Sequence, residues 1–204
     1  ARHGAVGVTT SALDFAGDGS PQAITESYDG SSWTEVGDMN TGRRQVGSSS
    51  FSRTSSSALV FGGEAHPPGT NDAETEAWDG TAWTEVADLS TARAAMGHLG
   101  TLSLAVCAGG EGLSAATEEW DWSSTLAAGA WASGGTFPVS VKERAAGAGT
   151  QTAALSVGGT NPGGNYTDDC LEYDGSSWSS NPNAFPATNF GLWGTGTATA
   201  ALIF

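Results

Sequence analysis

The chain has 204 residues, 30 of them glycine, and 22 acidic side chains against seven Lys and Arg, for a formal net charge of −15. Phosphate binding needs clustered Lys and Arg, so the composition disfavours nucleic acid and anionic membrane surfaces as partners, and no apolar run is long enough to cross a bilayer. With 14% of residues charged and no apolar stripe at helical spacing, the composition reads as many short strands joined by tight turns.

Taken in chain order, the predicted elements come in a repeated set of four. Tryptophans mark the copies at Trp33, Trp83, Trp131 and Trp178, at intervals of 50, 48 and 47 residues, and arginines open them at Arg2, Arg43, Arg93 and Arg144. In each copy strand a follows the arginine, as in Arg93-Ala94-Ala95-Met96-Gly97. Strand b ends in a glycine pair, Gly62-Gly63, Gly109-Gly110 or Gly158-Gly159, with Ala16-Gly17 as the degenerate first member. Leu59 and Phe61 alternate with Val60, the period of a strand packed on both faces. Strand c carries a Tyr or Trp and stops at Asp-Gly, as in Tyr28-Asp29-Gly30 and Tyr173-Asp174-Gly175, a strong hairpin signal. Strand d begins near the tryptophan.

Three units depart from this set. The first has Asp14 where the second has Val60, which implies solvent or a different neighbour there. The second lengthens its a–b loop over residues 48–54, and the third stretches its c–d hairpin between Asp121 and Trp131. The units run over 2–42, 43–92, 93–143 and 144–188, and a partial fifth at 189–204 repeats strands a and b. A period of this size with four strands per copy predicts an all-β, β-propeller array of four-stranded antiparallel blades. About four and a half blades fall within the chain, and a closed ring of five or more needs further chain.

The hydrophobic strand ending in Gly-Gly, followed by a Tyr and a Trp at set distances, resembles the kelch repeat over nearly the whole chain. More narrowly, Gly149-Thr150-Gln151-Thr152-Ala153-Ala154-Leu155 and Ala116-Thr117-Glu118-Glu119-Trp120-Asp121 are similar to kelch-like arrays in structural and tail-fibre proteins of marine tailed bacteriophages. The resemblance implies a virion-surface or extracellular location. It also implies other virion or surface proteins and host-surface glycans as partners, within an oligomeric assembly.

Some kelch-fold enzymes are copper radical oxidases, whose metal needs converging tyrosine, histidine and cysteine. Here His3, His66 and His98 fall in three different units, and only His98 sits in an inner strand. No metal or other cofactor is expected: Asp72 with Glu74, and Asp168 with Asp169, lack the spacing of known calcium loops. Cys107 aligns with Phe61 and Val157 as a core residue and Cys170 with Thr25, Thr75 and Thr117, so no disulfide is expected. The segment from Ser27 to Trp33 is similar to the Asp-box turn of sialidases, but it is one residue short and no carboxylate-clamping arginines accompany it. Glu26, Glu76, Glu119 and Glu172 recur blade by blade instead of meeting across one substrate, which fits hairpin-surface carboxylates or arginine partners. There is no nucleophile–base motif.

The candidates that remain are the variable b–c loops, which share one face with the d–a connections. They offer Glu64, His66, Asn71 and Asp72 in the second unit, Glu111 in the third, and Asn161, Asn165 and Tyr166 in the fourth. The expected function is non-enzymatic: a virion-surface structural or adhesion protein, part of a tail fibre, spike or decoration, that binds a host surface or glycan. The alternatives are a secreted or cell-surface microbial binding or filament-forming module, and, third, a carbohydrate-active enzyme whose catalytic residues lie in other chain.

Overall fold

The computed structural model describes residues 3–18, 23–49, 52–65, 69–111, 115–122, 129–138, 145–161, 163–189, 191–192 and 194–204, and among them every regular element is a strand. The first sheet is a meander of β1 (Gly4–Val8), β2 (Ser11–Phe15), β3 (Thr25–Tyr28) and β4 (Trp33–Glu35). Next come β5 (Arg43–Arg44), β6 (Gly47–Ser48), β7 (Ala58–Phe61), β8 (Glu64–Ala65), β9 (Thr70–Asn71), β10 (Thr75–Trp78) and β11 (Trp83–Glu85). Of these, β6-β7-β10-β11 make the second sheet, while β5-β8-β9 form a small three-stranded sheet at its end.

The third sheet is β12 (Gly97–Gly100), β13 (Leu104–Ala108), β14 (Thr117–Asp121) and β15 (Ala130–Ser133). The fourth is β16 (Ala146–Thr150), β17 (Ala153–Val157), β18 (Cys170–Tyr173) and β19 (Trp178–Ser180), and a hairpin of β20 (Gly194–Thr197) and β21 (Ala200–Ile203) follows. Every pairing is antiparallel. The first strands lie side by side, β1 by β6, β6 by β12, β12 by β16 and β16 by β20. The chain is therefore all-β, and the arrangement is consistent with the blades of a β-propeller.

Local chemistry explains why each segment folds this way. In the c–d turns the Asp29 carboxylate accepts bonds from the Ser31 and Ser32 amides at 2.8 and 2.9 Å, and Asp79 and Asp174 repeat the pattern. Those bonds hold the Asp29 and Asp174 carboxyls at about 2, well below the usual range. The a–b hairpins turn on a glycine that the sequence reading passed over: Gly7, Gly100, Gly149 and Gly196 all have φ between +112° and +130°. A Cβ at any of them would lie within 2.4 Å of backbone across the turn, so only glycine fits.

Between sheets the packing repeats as well. The indole N–H of Trp83 donates to Thr25 Oγ1 of the preceding sheet at 2.9 Å; Trp131 does the same to Thr75 at 3.1 Å, and Trp178 to Thr117 at 3.0 Å. Phe15 meets Trp83 edge-on at 5.0 Å, and Phe61 meets Trp131 at 4.8 Å. Both phenylalanines stand opposite a glycine, Gly4 and Gly47, where a Cβ would strike the ring. In the third sheet the pair is Gly97–Ala108, and the missing ring leaves a water-sized void beside Trp178. Phe137, from the connection into the fourth unit, covers Trp178 there instead, at 4.7 Å.

The pairing register corrects two alignments. Cys107 opposes Glu118 as Val60 opposes Glu76, so it belongs with Val60, while Ala108 shares the place of Phe61 and Val157. Cys107 is nevertheless fully buried, which pushes its thiol up to about 12, and both cysteines are free. Likewise Glu118, not Glu119, is the counterpart of Glu76, because Thr75 and Thr117 share a register position; Glu119 instead accepts a bond from the Tyr173 hydroxyl of the fourth sheet. His3 pairs with Asp14, the different neighbour that Asp14 required. His98 lies in β12, where Nδ1 meets the Ser48 backbone and burial pushes its pKa down.

The Trp–Thr bond predicts unequal effects of one substitution. Trp83→Phe keeps the ring but orphans the buried Thr25 hydroxyl, so it should cost about 1–3 kcal/mol. Trp33 is 50% exposed, and Trp33→Phe should stay within about 0.5 kcal/mol. Urea unfolding of dilute protein measures both.

Candidate functional site

The b–c loops leave strand b through glycine pairs in the left-handed region. Gly62, Gly109 and Gly158 have φ of 57°, 68° and 69°, and Ala16 takes 67° at the same place despite its side chain. In the first, second and fourth units the second residue of the pair then bonds to the segment that leads from strand d into the next strand a. Gly17 N–H donates to Arg43 O at 3.0 Å, Gly63 N–H to Arg93 O at 2.8 Å, and Gly159 N–H to Asn189 O at 2.9 Å. Those bonds put the b–c loops and d–a connections at one end of the sheets.

Beneath this end lie two buried ion pairs. Arg43 Nη2 meets Glu76 Oε1 at 2.8 Å, while its Nη1 donates to Gly62 O and Glu74 O at 3.1 and 2.5 Å. Arg93 reproduces the set with Glu118 at 2.7 Å and with Gly109 O and Ala116 O at 3.2 and 3.0 Å. Asn40 and Thr41 amides also bond Glu76, and the Ser90 amide bonds Glu118. A buried charge needs such partnering, which here leaves only the Arg43 Nε without an acceptor among the atoms of the two pairs. These arginines are therefore occupied inside the structure. The set does not extend evenly: Glu26 is exposed, Leu171 fills the carboxylate's place in the fourth sheet, and Arg2 and Arg144 lie outside the described residues.

The candidate loop residues fall in three separate loops. In the second unit Glu64 is 7% exposed; Arg44 grips it with two bonds of 2.9 and 3.0 Å, and the Gln45 amide adds one of 3.0 Å. Arg44 also reaches Asp18 of the first loop at 3.2 Å, and the Gly69 N–H donates to Glu64 Oε1 at 2.6 Å. The Glu64 hydrogen bond is the main cause holding the Arg44 pKa above its usual value. The Glu64 carboxylate thus braces its own loop. Asn71 pairs with Glu64 in the β8–β9 ladder, and Asp72 caps the Glu74 amide at 3.0 Å while its backbone bonds Gly63 and Arg93. His66 lies outside the described residues.

In the third unit the Glu111 amide bonds Ala94 O at 2.9 Å. In the fourth, Asn161 Oδ1 accepts from the Gly163 and Asn165 amides at 3.0 and 3.1 Å, and the Asn161 N–H donates to Asn165 O at 2.9 Å. This closed turn presents Tyr166, half exposed, at the bridge between Thr160 and Tyr166. Arg44 and Gln45 were missed from sequence. The signal available was the doubled Arg43-Arg44: neighbours on extended backbone point to opposite sides, so one arginine turns inward and the other outward.

Among the described residues, no group of three or more His, Cys, Asp or Glu stands together as a metal site. The chain matches no protein-family model, and no curated protein matches it significantly.

The Glu64 brace predicts local protection. Glu64→Ala should speed exchange of the Gly69 amide by about tenfold, the worth of one charge-assisted bond of about 1.5 kcal/mol. The Gly159 amide, bonded in the fourth unit, should be unchanged; exchange followed by NMR reads both.

Proposed function

We propose that the chain is a non-enzymatic, kelch-like propeller scaffold that displays its b–c loops for binding a glycan-bearing surface, in the setting of a virion structural protein. The observation that carries the binding face is the fourth-unit loop. There a self-bonded Asn161–Asn165 turn holds the half-exposed Tyr166 ring on a sheet-anchored base. A ring held this way stacks on a sugar face at little cost in side-chain freedom, and neighbouring amides bond hydroxyls. The virion setting rests on the wording of the repeats, and the acidic, lysine-poor surface agrees with a partner that is not polyanionic.

A glycan array followed by binding titration tests the reading. Retention of at least one glycan without release of sugar is expected. Tyr166→Ala should weaken that binding about tenfold or more, near 1.4 kcal/mol. Binding that ignores Tyr166, or turnover of the bound glycan, would refute it.

A further inference from the structure

The first strands of the four-stranded sheets share one register position, the residue after Gly4, Gly47, Gly97 and Ala146. Ala5, Ser48 and Gly147 keep it small, and a Cβ at Gly147 would lie 2.6 Å from the His98 carbonyl oxygen. His98 puts a ring at this position, on the side that faces the second sheet. Its Nδ1 lies 3.1 Å from the Ser48 amide nitrogen and 3.0 Å from the Ser48 carbonyl oxygen, and Phe61 meets the ring edge-on at 6.3 Å. Strand β6 is the last of its sheet, so these backbone groups of a fully buried residue turn to the imidazole and not to another strand.

The strands packed around the ring bring no charge to it: β6, β7, β13 and β16 contain no Asp, Glu, Lys or Arg. In its own cross-strand row the next residue is Cys107, whose thiol stays neutral because burial pushes it up to about 12. Glu118 follows, and its carboxylate is already paired with Arg93. A proton on the ring therefore meets no free carboxylate. Desolvation pushes the His98 pKa below its ordinary 6.5, and the Ser48 carbonyl offsets that only in part. The hydrogen bonds act in the same direction. A neutral ring accepts from the Ser48 N–H through Nδ1, whereas a protonated ring carries hydrogen on that nitrogen and only donates, which leaves the Ser48 N–H buried without an acceptor.

We propose that His98 makes the joint between the second and third sheets acid-sensitive: a proton taken up by the ring drives it from its seat and frees Ser48 from β12. The open joint exposes the imidazole to water, where it binds a proton with ordinary affinity, and the closed joint does not. The closed joint is therefore at full strength above the ordinary value of 6.5 and weakens as pH falls toward the lower closed-state value, by up to about tenfold in the opening constant per pH unit. His3 runs the opposite way: its bond to Asp14 raises its pKa, so that contact is complete in acid and is lost as pH rises. The inference is independent of any glycan binding by the loops.

Hydrogen exchange of the Ser48 amide, followed by NMR and corrected for intrinsic rates, tests it. Between about pH 7.5 and about pH 5.5, protection at Ser48 should fall about tenfold in wild type. The Ser49 amide, bonded to Leu59 within the second sheet, should hold steady. In His98→Asn, whose side-chain oxygen accepts the same bond but takes no proton, protection at Ser48 should change less than about twofold. The imidazole signals of wild type should titrate below the ordinary 6.5, a readout that decides the matter even where the variant fails to fold. Ring titration at or above that value, Ser48 protection that ignores pH, or a folded His98→Asn variant that responds as wild type does would overturn the inference.

Discussion

The arrangement depends on an arginine buried where one unit joins the next. The carbonyl of Arg93 accepts from Gly63 of the second sheet, while its guanidinium spans Gly109 O, Ala116 O and Glu118 of the third. One residue thus ties the exit of one strand b to the strands of the following sheet. A planar fork of fixed donors suits this better than a lysine, which brings a compact charge without the geometry. Desolvating such a pair costs several kcal/mol, so its contribution lies in fixing position more than in net stability. Arg43 repeats the device between the first and second sheets with Glu76.

Around this tie the sheets meet through an aromatic and a hydroxyl. The Trp–Thr bond recurs at three junctions, yet the apolar filler varies: Phe15, then Phe61, then Phe137 from a connection where strand b supplies only Ala108. The polar contact is directional and needs one geometry, whereas the apolar volume can come from whichever segment reaches it. That difference explains why the repeat tolerates so much variation in strand b.

Much of this was legible in the sequence because turns and periodicity are local. The Asp-Gly turns, the glycine pairs and the tryptophan spacing placed nearly every strand. Errors arose where a slip of one residue changes the face. Cys107 was aligned with Phe61 and Glu119 with Glu76, and pairing registers of 107 with 118 and 60 with 76 set both straight. Contacts between units left little trace: nothing in the spacing links Tyr173 to Glu119, 54 residues away, or Trp83 to Thr25. Among the candidate binding residues, Glu64 looked like a free loop carboxylate, but its partners Arg44 and Gln45 sit 20 and 19 residues earlier. The Asn161–Asn165 turn was closer to legible, since asparagine and glycine favour such closures.

A double-mutant cycle on Arg93 and Glu118 tests the role of the buried tie most directly. Arg93→Met and Glu118→Leu should each cost about 3–5 kcal/mol of unfolding free energy, because each leaves a buried charge without its partner. The double variant should cost no more than either single variant alone, giving a coupling energy of about 3 kcal/mol or more. Single losses below about 1 kcal/mol with no coupling would mean that the guanidinium is solvated, and that something other than this arginine sets one sheet against the next.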